Sequence, residues 1–398
     1  MSPLSYILFL QLGYLIGSLS PSYFLGKVLH SVDIRELGTK NAGAVNAYKV
    51  LGLGPAVLTA FFDLSKGLLV MHTAYLLGAP PLLVHLTACA AILGHVFPFY
   101  LNFRGGQGIA TATAILIYYL GMFYVNRWLP LESLVFLAFC VFSFLYITKI
   151  GEFIGSVILP VLGICILVFS PSQEYSFFIL SIIGYIWFIE MFNIHNNKLL
   201  PVLLKNIKHE INWRLFIRPA AILLAIYYLN NTKREALVLT GIVTLIFLLL
   251  DFVRLLSKKI NTFFFKKIKD LYKPKEYKKF SSMTNFLVAI FIAFLLFEKS
   301  IAIMSISFLI FGDFFSKFFG IYFGRTQIFQ KSLEGSLAHL NACLLVGYLF
   351  LHFVSVPIPV YLAGAFVATC TELLPMGIDD NLSVAILSAS AMSAFQLF

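Results

Sequence analysis

The sequence predicts an all-α, polytopic integral membrane protein, with seven spans in the first half and a second helical membrane bundle of about six or seven spans. Three observations carry this. The 398 residues are 60% apolar, with 42 Phe, against roughly 45 to 50% apolar for soluble domains. Charged residues make up only 12%, about half the usual roughly 25%. The mean hydropathy is +0.90 and is gathered into runs, most of which in the first half reach the roughly 17 to 25 residues a crossing needs. A net charge of +11 raises the question of nucleic acid, but a surface that tracks phosphates needs more cations than this chain has.

The first-half runs are Leu4 to Val28, Leu51 to Leu77, Leu82 to Leu101, Ile109 to Val125, Leu131 to Ile147, Phe153 to Phe169 and Phe177 to Ile194. The second-half runs are shorter: Pro219 to Leu229, Ala236 to Val253, Met283 to Phe297, Ile301 to Gly312, Leu337 to Ser355, Pro359 to Cys370 and Ser383 to Phe398. With the N-terminus outside, the inner loops hold twenty-four cations and the outer loops four, Arg127, Lys233, Arg234 and Lys299; Lys66 lies inside a span. That asymmetry supports a multi-pass protein of the inner cell membrane with its polar loops on the cytoplasmic face. The apolar N-terminus is read as a retained first span, because the run is long and no small-residue cleavage site follows it. The five cysteines lie in apolar runs without CxxC spacing, so neither zinc nor a disulfide framework is indicated.

Polar residues inside or beside a membrane are costly unless they act, so function is sought where polarity interrupts the runs. The first set begins with Asp33-Ile34-Arg35-Glu36-Leu37-Gly38-Thr39-Lys40-Asn41-Ala42-Gly43-Ala44-Val45-Asn46. Small residues, two Asn and flanking cations can present N–H groups and charge to an anion. Asp63 and Lys66 lie three apart on one helical face, where they can neutralise each other. Then comes Gly94-His95-Val96-Phe97-Pro98, followed by Asn102-Phe103-Arg104-Gly105-Gly106-Gln107-Gly108-Ile109-Ala110-Thr111. Three glycines beside an Arg and opening a helix suggest a phosphate site at the membrane face.

These residues resemble the acyl-phosphate:glycerol-3-phosphate acyltransferases of bacterial phospholipid synthesis, over about residues 1 to 200. The resemblance rests on Gly17-Ser18, the 33–46 loop, Asp63 to Gly67 and the GHxFPxxxxFxGGxGxAT pattern of Gly94 to Thr111. It implies acyl transfer from acyl phosphate to the sn-1 hydroxyl of glycerol 3-phosphate, giving lysophosphatidic acid without a cofactor. It implies catalytic roles for Ser18, Asn46, His95, Ser156 and His195, and substrate contacts from Arg35, Lys40, Asn41, Gly43, Lys66, Arg104, Gly105, Gly106, Gln107 and Gly108. The acyl phosphate is already activated, so positioning and stabilising charge suffice. His95 can accept the hydroxyl proton or can simply fix the loop, and a substrate phosphate can take the proton instead. The chain departs from the family pattern in three places. Gln107 stands where a second Lys is usual, Val45 where a small hydroxyl residue is usual, and the last motif is reduced to His195-Asn196-Asn197-Lys198 with Ser156 upstream.

Residues 201–233 form a basic linker and a short span. In the remaining 234–398 segment, lysines crowd from Lys258 to Lys279, which suits a solvated loop touching anionic lipid, with a share in nucleotide binding as the sharper alternative. Gly312-Asp313-Phe314-Phe315-Ser316-Lys317, Gly320, Gly324-Arg325, Lys331-Ser332-Leu333-Glu334-Gly335-Ser336, Glu372 and Asp379-Asp380-Asn381 follow. Carboxylates for Mg²⁺ with cations and glycines for phosphates suit a metal-bound nucleoside triphosphate, and Asp379-Asp380 is the candidate metal pair. Charge pairing within the fold is the competing account. The segment resembles the dolichol kinase, phytol kinase and CTP-dependent diacylglycerol kinase group. That implies Mg²⁺, CTP and a lipid alcohol, with Asp313 catalytic and Lys317, Arg325, Lys331, Glu334, Gly335 and Ser336 binding substrate. The chain thus reads as two fused membrane enzymes without nucleic-acid partners. The alternatives are that one half alone is active, or that it binds or transports lipid.

Overall fold

The computed structural model describes residues 2–149, 151–170, 173–196, 218–267, 276–351, 353–377 and 379–397. Lys198, Lys205, Lys208 and Arg214 of the linker region, and Asp270, Lys269, Lys273 and Lys275 of the lysine run, lie outside them. The chain divides into two compact units, Met1–Leu137 with Glu152–Asn197, and Ala138–Gly151 with Lys198–Phe398.

The helices up to residue 196 are α1 (Pro3–Ser18), α2 (Pro21–His30), α3 (Ala44–Leu51), α4 (Leu53–Leu76), α5 (Pro81–Val96), α6 (Ile109–Val125), α7 (Leu131–Thr148), α8 (Gly151–Phe169) and α9 (Gln173–Asn196). Those that follow are α10 (Ile222–Asn230), α11 (Lys233–Leu256), α12 (Lys258–Lys267), α13 (Ser282–Leu296), α14 (Lys299–Ser307), α15 (Asp313–Phe323), α16 (Leu333–Phe350), α17 (Ile358–Leu373) and α18 (Asp380–Phe395). A π turn, Phe308–Gly312, joins α14 to α15, and β1 (Gln327–Ile328) pairs antiparallel with β2 (Lys331–Ser332). Among the described residues, eight helical segments are long and apolar enough to cross a membrane. The chain is an all-α polytopic membrane protein.

Several boundaries differ from the apolar runs for local reasons. The first run breaks at Leu19–Ser20, because Pro21 has no N–H to continue the ladder. The third stops at Val96, where Pro98 follows and Phe97 leaves helical geometry. The run Ile301 to Gly312 continues to Phe323, since Lys317 Nζ sits 2.7 Å from Asp313 Oδ2 and the pair keeps the helix going where hydropathy fails. Ser332 caps α16 by accepting from the Gly335 N–H, so that helix starts before its apolar run.

In the first unit α1 and α5 meet on small residues. A Cβ on Gly17 would lie 2.1 Å from the Ala91 carbonyl oxygen and one on Gly94 2.2 Å from that of Tyr14, so neither tolerates a side chain. In the second unit Phe286, Phe294, Ile303, Met304 and Phe308 centre the core. The C-terminal end of α11 is anchored by Arg254, which is fully buried. Its guanidinium donates to Asp251 Oδ1, Asn261 Oδ1 and the carbonyls of Glu276 and Lys279, while Asp251 Oδ2 accepts from Ser281 N and Thr284 Oγ1. Residues such as Val238, Leu245 and Leu249 of α11 are exposed, as suits a face turned to lipid.

Candidate active site

The first unit buries an ammonium, a carboxylate and an imidazole together. Lys66 Nζ lies 2.8 Å from Asp63 Oδ1 and donates to His95 Nδ1, while His95 Nδ1 is 3.3 Å from Asp63 Oδ1. The broken α1–α2 junction contributes the Leu19 carbonyl, 3.4 Å from Lys66 Nζ. Thr111 Oγ1, on α6, donates to the Asp63 carbonyl at 2.8 Å. An ammonium can only donate, so His95 Nδ1 accepts and the ring carries its hydrogen on Nε2. This orientation opposes the proton-acceptor role open to His95 in the sequence.

The glycine loop folds back over this group. Gly105 N donates to the Val96 carbonyl and Gly106 N to that of His95, each at 3.0 Å. A Cβ on Gly106 would lie 2.0 Å from His95 Nε2. Gly105 and Gly106 are therefore glycines for close approach to α5, and those two N–H groups are not presented to a phosphate as the sequence suggested. Beyond them Gly108, in the left-handed region at φ +69, leads into the N-terminus of α6, which has no side-chain cap. Gln107 and Asn193 exchange amide hydrogen bonds at 2.7 and 3.2 Å, and Tyr185 Oη donates to the Gln107 carbonyl at 2.6 Å. Tyr185 and Asn193 went unnoticed in the sequence. Asn193 lies two residues before His195, the only hint available; nothing singles out Tyr185.

Arg35 ties the two loops together. Its guanidinium holds Asp33 Oδ1 and Oδ2 at 3.0 and 2.7 Å and donates to the Leu101 and Arg104 carbonyls at 2.6 and 3.3 Å. Hydrogen bonding from Arg35 holds the Asp33 carboxyl below its ordinary range, and that bond in turn raises the Arg35 guanidinium. Asn46 organises the 33–46 loop: Nδ2 donates to the carbonyls of Ile34, Asn41 and Leu37, and Oδ1 accepts from Thr39 N at 2.7 Å. Asn46 is thus committed to backbone, whereas the buried Asn41 Oδ1 beside Gly43 has no partner. Lys40 is exposed, and Arg104 Nη1 is 3.7 Å from Glu36 Oε1 with both side chains about two-thirds exposed. Ser18 Oγ donates to the Leu15 carbonyl and Ser156 Oγ to that of Phe153, bonds within their own helices. His195 is exposed at the end of α9. These three are not joined to the Lys66 group by any hydrogen bond the structure shows.

The family model for glycerol-3-phosphate acyltransferases matches residues 7–200. A glycerol-3-phosphate acyltransferase of Shouchella clausii is 45% identical over 26% of this chain and 52% of that protein. One from Staphylococcus saprophyticus is 32% identical over 38% of this chain and 85% of its own length. The chain belongs to the glycerol-3-phosphate acyltransferase family. It spans about half the length of the Shouchella clausii and Idiomarina loihiensis acyltransferases it matches, at 52% and 54%. The crystal structure of PlsY (YgiH), an integral membrane glycerol 3-phosphate acyltransferase in its glycerol 3-phosphate form, is 22% identical. It aligns with a TM-score of 0.40 over 54% of this chain and 98% of that one.

The second polar cluster lies beyond the residues the acyltransferase family model matches. Lys331 Nζ, on β2, sits 2.8 Å from Glu372 Oε1 and 3.1 Å from Asp380 Oδ2, and also donates to the Glu372 carbonyl. Burial pushes the Lys331 ammonium down, but Glu372 and Asp380 outweigh it and hold it above its ordinary value. Ser316 Oγ donates to Glu372 Oε1 at 2.8 Å. Glu334 accepts from the backbone of Arg325 and Thr326, and Arg325 also donates to the Tyr146 carbonyl. A Cβ on Gly335 would lie 3.2 Å from the Gly320 Cα, so this glycine serves the α15–α16 crossing. Glu334, Gly335 and Arg325 are therefore engaged within the fold.

Asp379 caps α18, its Oδ1 accepting from Asn381 N and Nδ2 and its Oδ2 from Asn285 Nδ2, while Asp380 faces Lys331. No group of three or more His, Cys, Asp or Glu gathers for a metal among the described residues. In this arrangement the Asp379-Asp380 pair does not fit a metal ion, because one carboxylate is a helix cap and the other an ion-pair partner.

Proposed function

We propose that the first unit transfers an acyl group from acyl phosphate to the sn-1 hydroxyl of glycerol 3-phosphate at the cytoplasmic face, giving lysophosphatidic acid. The observation that carries this is the buried Lys66–Asp63–His95 group roofed by the glycine loop, which carries Arg104 and leads into the α6 N-terminus. Arg104, Lys40 and the first turn of α6 hold phosphate; the unpartnered Asn41 Oδ1 accepts from a glycerol hydroxyl. The hydroxyl oxygen attacks the acyl carbon, the C–O bond to phosphate breaks, and phosphate leaves with the electron pair and takes the hydroxyl proton. A base on the protein is not required, which agrees with a His95 whose Nε2 carries hydrogen and donates toward developing negative charge. No cofactor enters, because the substrate is already activated.

The test is whether purified full-length chain in detergent forms lysophosphatidic acid from palmitoyl phosphate and glycerol 3-phosphate. Substrate bound without product would favour the lipid-binding reading.

We further propose that the second unit phosphorylates a lipid alcohol from CTP. Lys331 and Lys317, each beside a carboxylate, support it, together with a π turn directly before Asp313, a helix defect frequent at functional sites. The choice of CTP rests on the resemblance of residues 234–398.

A further inference from the structure

His339 of α16 is completely buried, and its protonation pattern can be read from its neighbours. Thr369 Oγ1 donates its one hydrogen to the Ala365 carbonyl at 2.9 Å, so toward His339 Nδ1, at 3.0 Å, it only accepts. Cys343 Sγ, 3.4 Å from the same nitrogen, has its own acceptor in the Phe308 carbonyl at 3.8 Å. The ring hydrogen is therefore on Nδ1, and Nε2 is a lone pair.

Among the described residues nothing donates to that lone pair. His339 Nε2 is buried without a partner, and so are Glu372 Oε2 and Ser336 Oγ of the same cluster. Lone pairs withheld from both water and donors are costly, which marks such groups as awaiting a ligand. The nitrogen faces Gly312, the last residue of the π turn, where a Cβ would lie 2.4 Å from Nε2. Glu372 and Asp313 are the carboxylates whose charges act on this ring, with Lys331 as the opposing cation. A phosphate would bring lone pairs to lone pairs. What the site lacks is a hydrogen-bond donor of low charge, able to reach the interior of an apolar bundle.

We propose that His339 Nε2 receives the hydroxyl hydrogen of a membrane alcohol, which enters over Gly312. This rests on reading the second unit as acting on a lipid alcohol, and it names where the alcohol's oxygen is held.

The experiment uses the full-length chain in detergent and a photoactivatable dioleoylglycerol analogue, competed with dioleoylglycerol or with phytol, alongside phosphorylation of both alcohols by γ-labelled CTP. Wild type should crosslink and be competed by one of the two. His339→Ala and Gly312→Ala should each lower crosslinking at least tenfold, and His339→Gln, whose amide oxygen can accept, should recover part of it. That partial recovery keeps the test decisive if the alanine variant fails to fold. Equal crosslinking in all four proteins, or no competable crosslinking in wild type, overturns the His339 site. Crosslinking that depends on His339 and Gly312 without phosphorylation in wild type upholds the site and removes the kinase reading.

Discussion

Arg35 Nη1 donates to the Leu101 carbonyl at 2.6 Å while its guanidinium grips Asp33, so one side chain locks the loop after α2 to the loop after α5. Lysine cannot make both contacts. Arg35→Lys should raise the apparent KM for glycerol 3-phosphate about ten- to a hundredfold, on the scale of a charge-assisted bond worth about 1.5 to 3 kcal/mol. A wild-type KM would remove the lock. The Asp33 carboxyl is held low by its bond from Arg35, so its contribution is present above the ordinary 3.8 and is lost only as pH falls through the lower folded value. The Arg35 guanidinium is held above its ordinary value by the same bond, so its contribution is present at every lower pH. Kinetics between about pH 5 and 9 should therefore show no inflection from this pair, and one that vanishes in Asp33→Asn would contradict the assignment.

Gly106 and Gly121 separate close approach from mere helix composition. A Cβ on Gly106 meets His95 Nε2 at 2.0 Å, whereas one on Gly121 meets nothing within 4 Å. Gly106→Ala should cut kcat/KM at least about a hundredfold by displacing the ring. Gly121→Ala should leave activity intact and slightly raise the unfolding temperature. Comparable rates for the two variants would mean that His95 is not part of the reacting site.

Arg104 is paired only loosely with Glu36, at 3.7 Å and largely in solvent, an arrangement worth about 0 to 1 kcal/mol. Its charge is therefore available to substrate. Arg104→Ala should raise KM for glycerol 3-phosphate about ten- to a hundredfold, with Arg127→Ala and Glu36→Gln near wild type. Equal effects of the two arginine variants would end the assignment of phosphate to this loop.

Arg254 and Asp251 are both buried, and the arginine also holds the Glu276 and Lys279 carbonyls. Arg254→Met strands the carboxylate, and loss of one partner of a buried pair typically costs about 3 to 5 kcal/mol. Thermal unfolding in detergent should show a large loss confined to the second unit. Unchanged acyl transfer at low temperature would show that the first unit survives.

Asp313→Asn breaks the pair with Lys317 at the end of the π turn. Labelling of a lipid alcohol by γ-labelled CTP should disappear while acyl transfer continues. Persistent labelling in the variant would take Asp313 out of the second site.

Much of this was legible in one dimension. Asp63 and Lys66 pair because they lie three positions apart on a helix, a relation local spacing reveals. The glycines of the 94–111 pattern stood out as a motif, yet their reason did not: Gly105 and Gly106 make room for His95 rather than offering N–H groups to phosphate. Likewise Asp379-Asp380 looked like a metal pair because adjacent carboxylates are adjacent on paper, whereas in the fold one caps α18 and the other faces Lys331.

The sequence by itself determined the membrane class, most spans and the two sets of polar segments, because hydropathy and charge are properties of short stretches of chain. Only the tertiary structure decided which polar atoms meet and which are left over. Tyr185 and Asn193 reach Gln107 from about eighty residues away. Thr369 reaches across from another helix to decide which nitrogen of His339 carries the hydrogen. Hydrogen-bond satisfaction depends on partners brought together by packing, and no spacing along the chain records it.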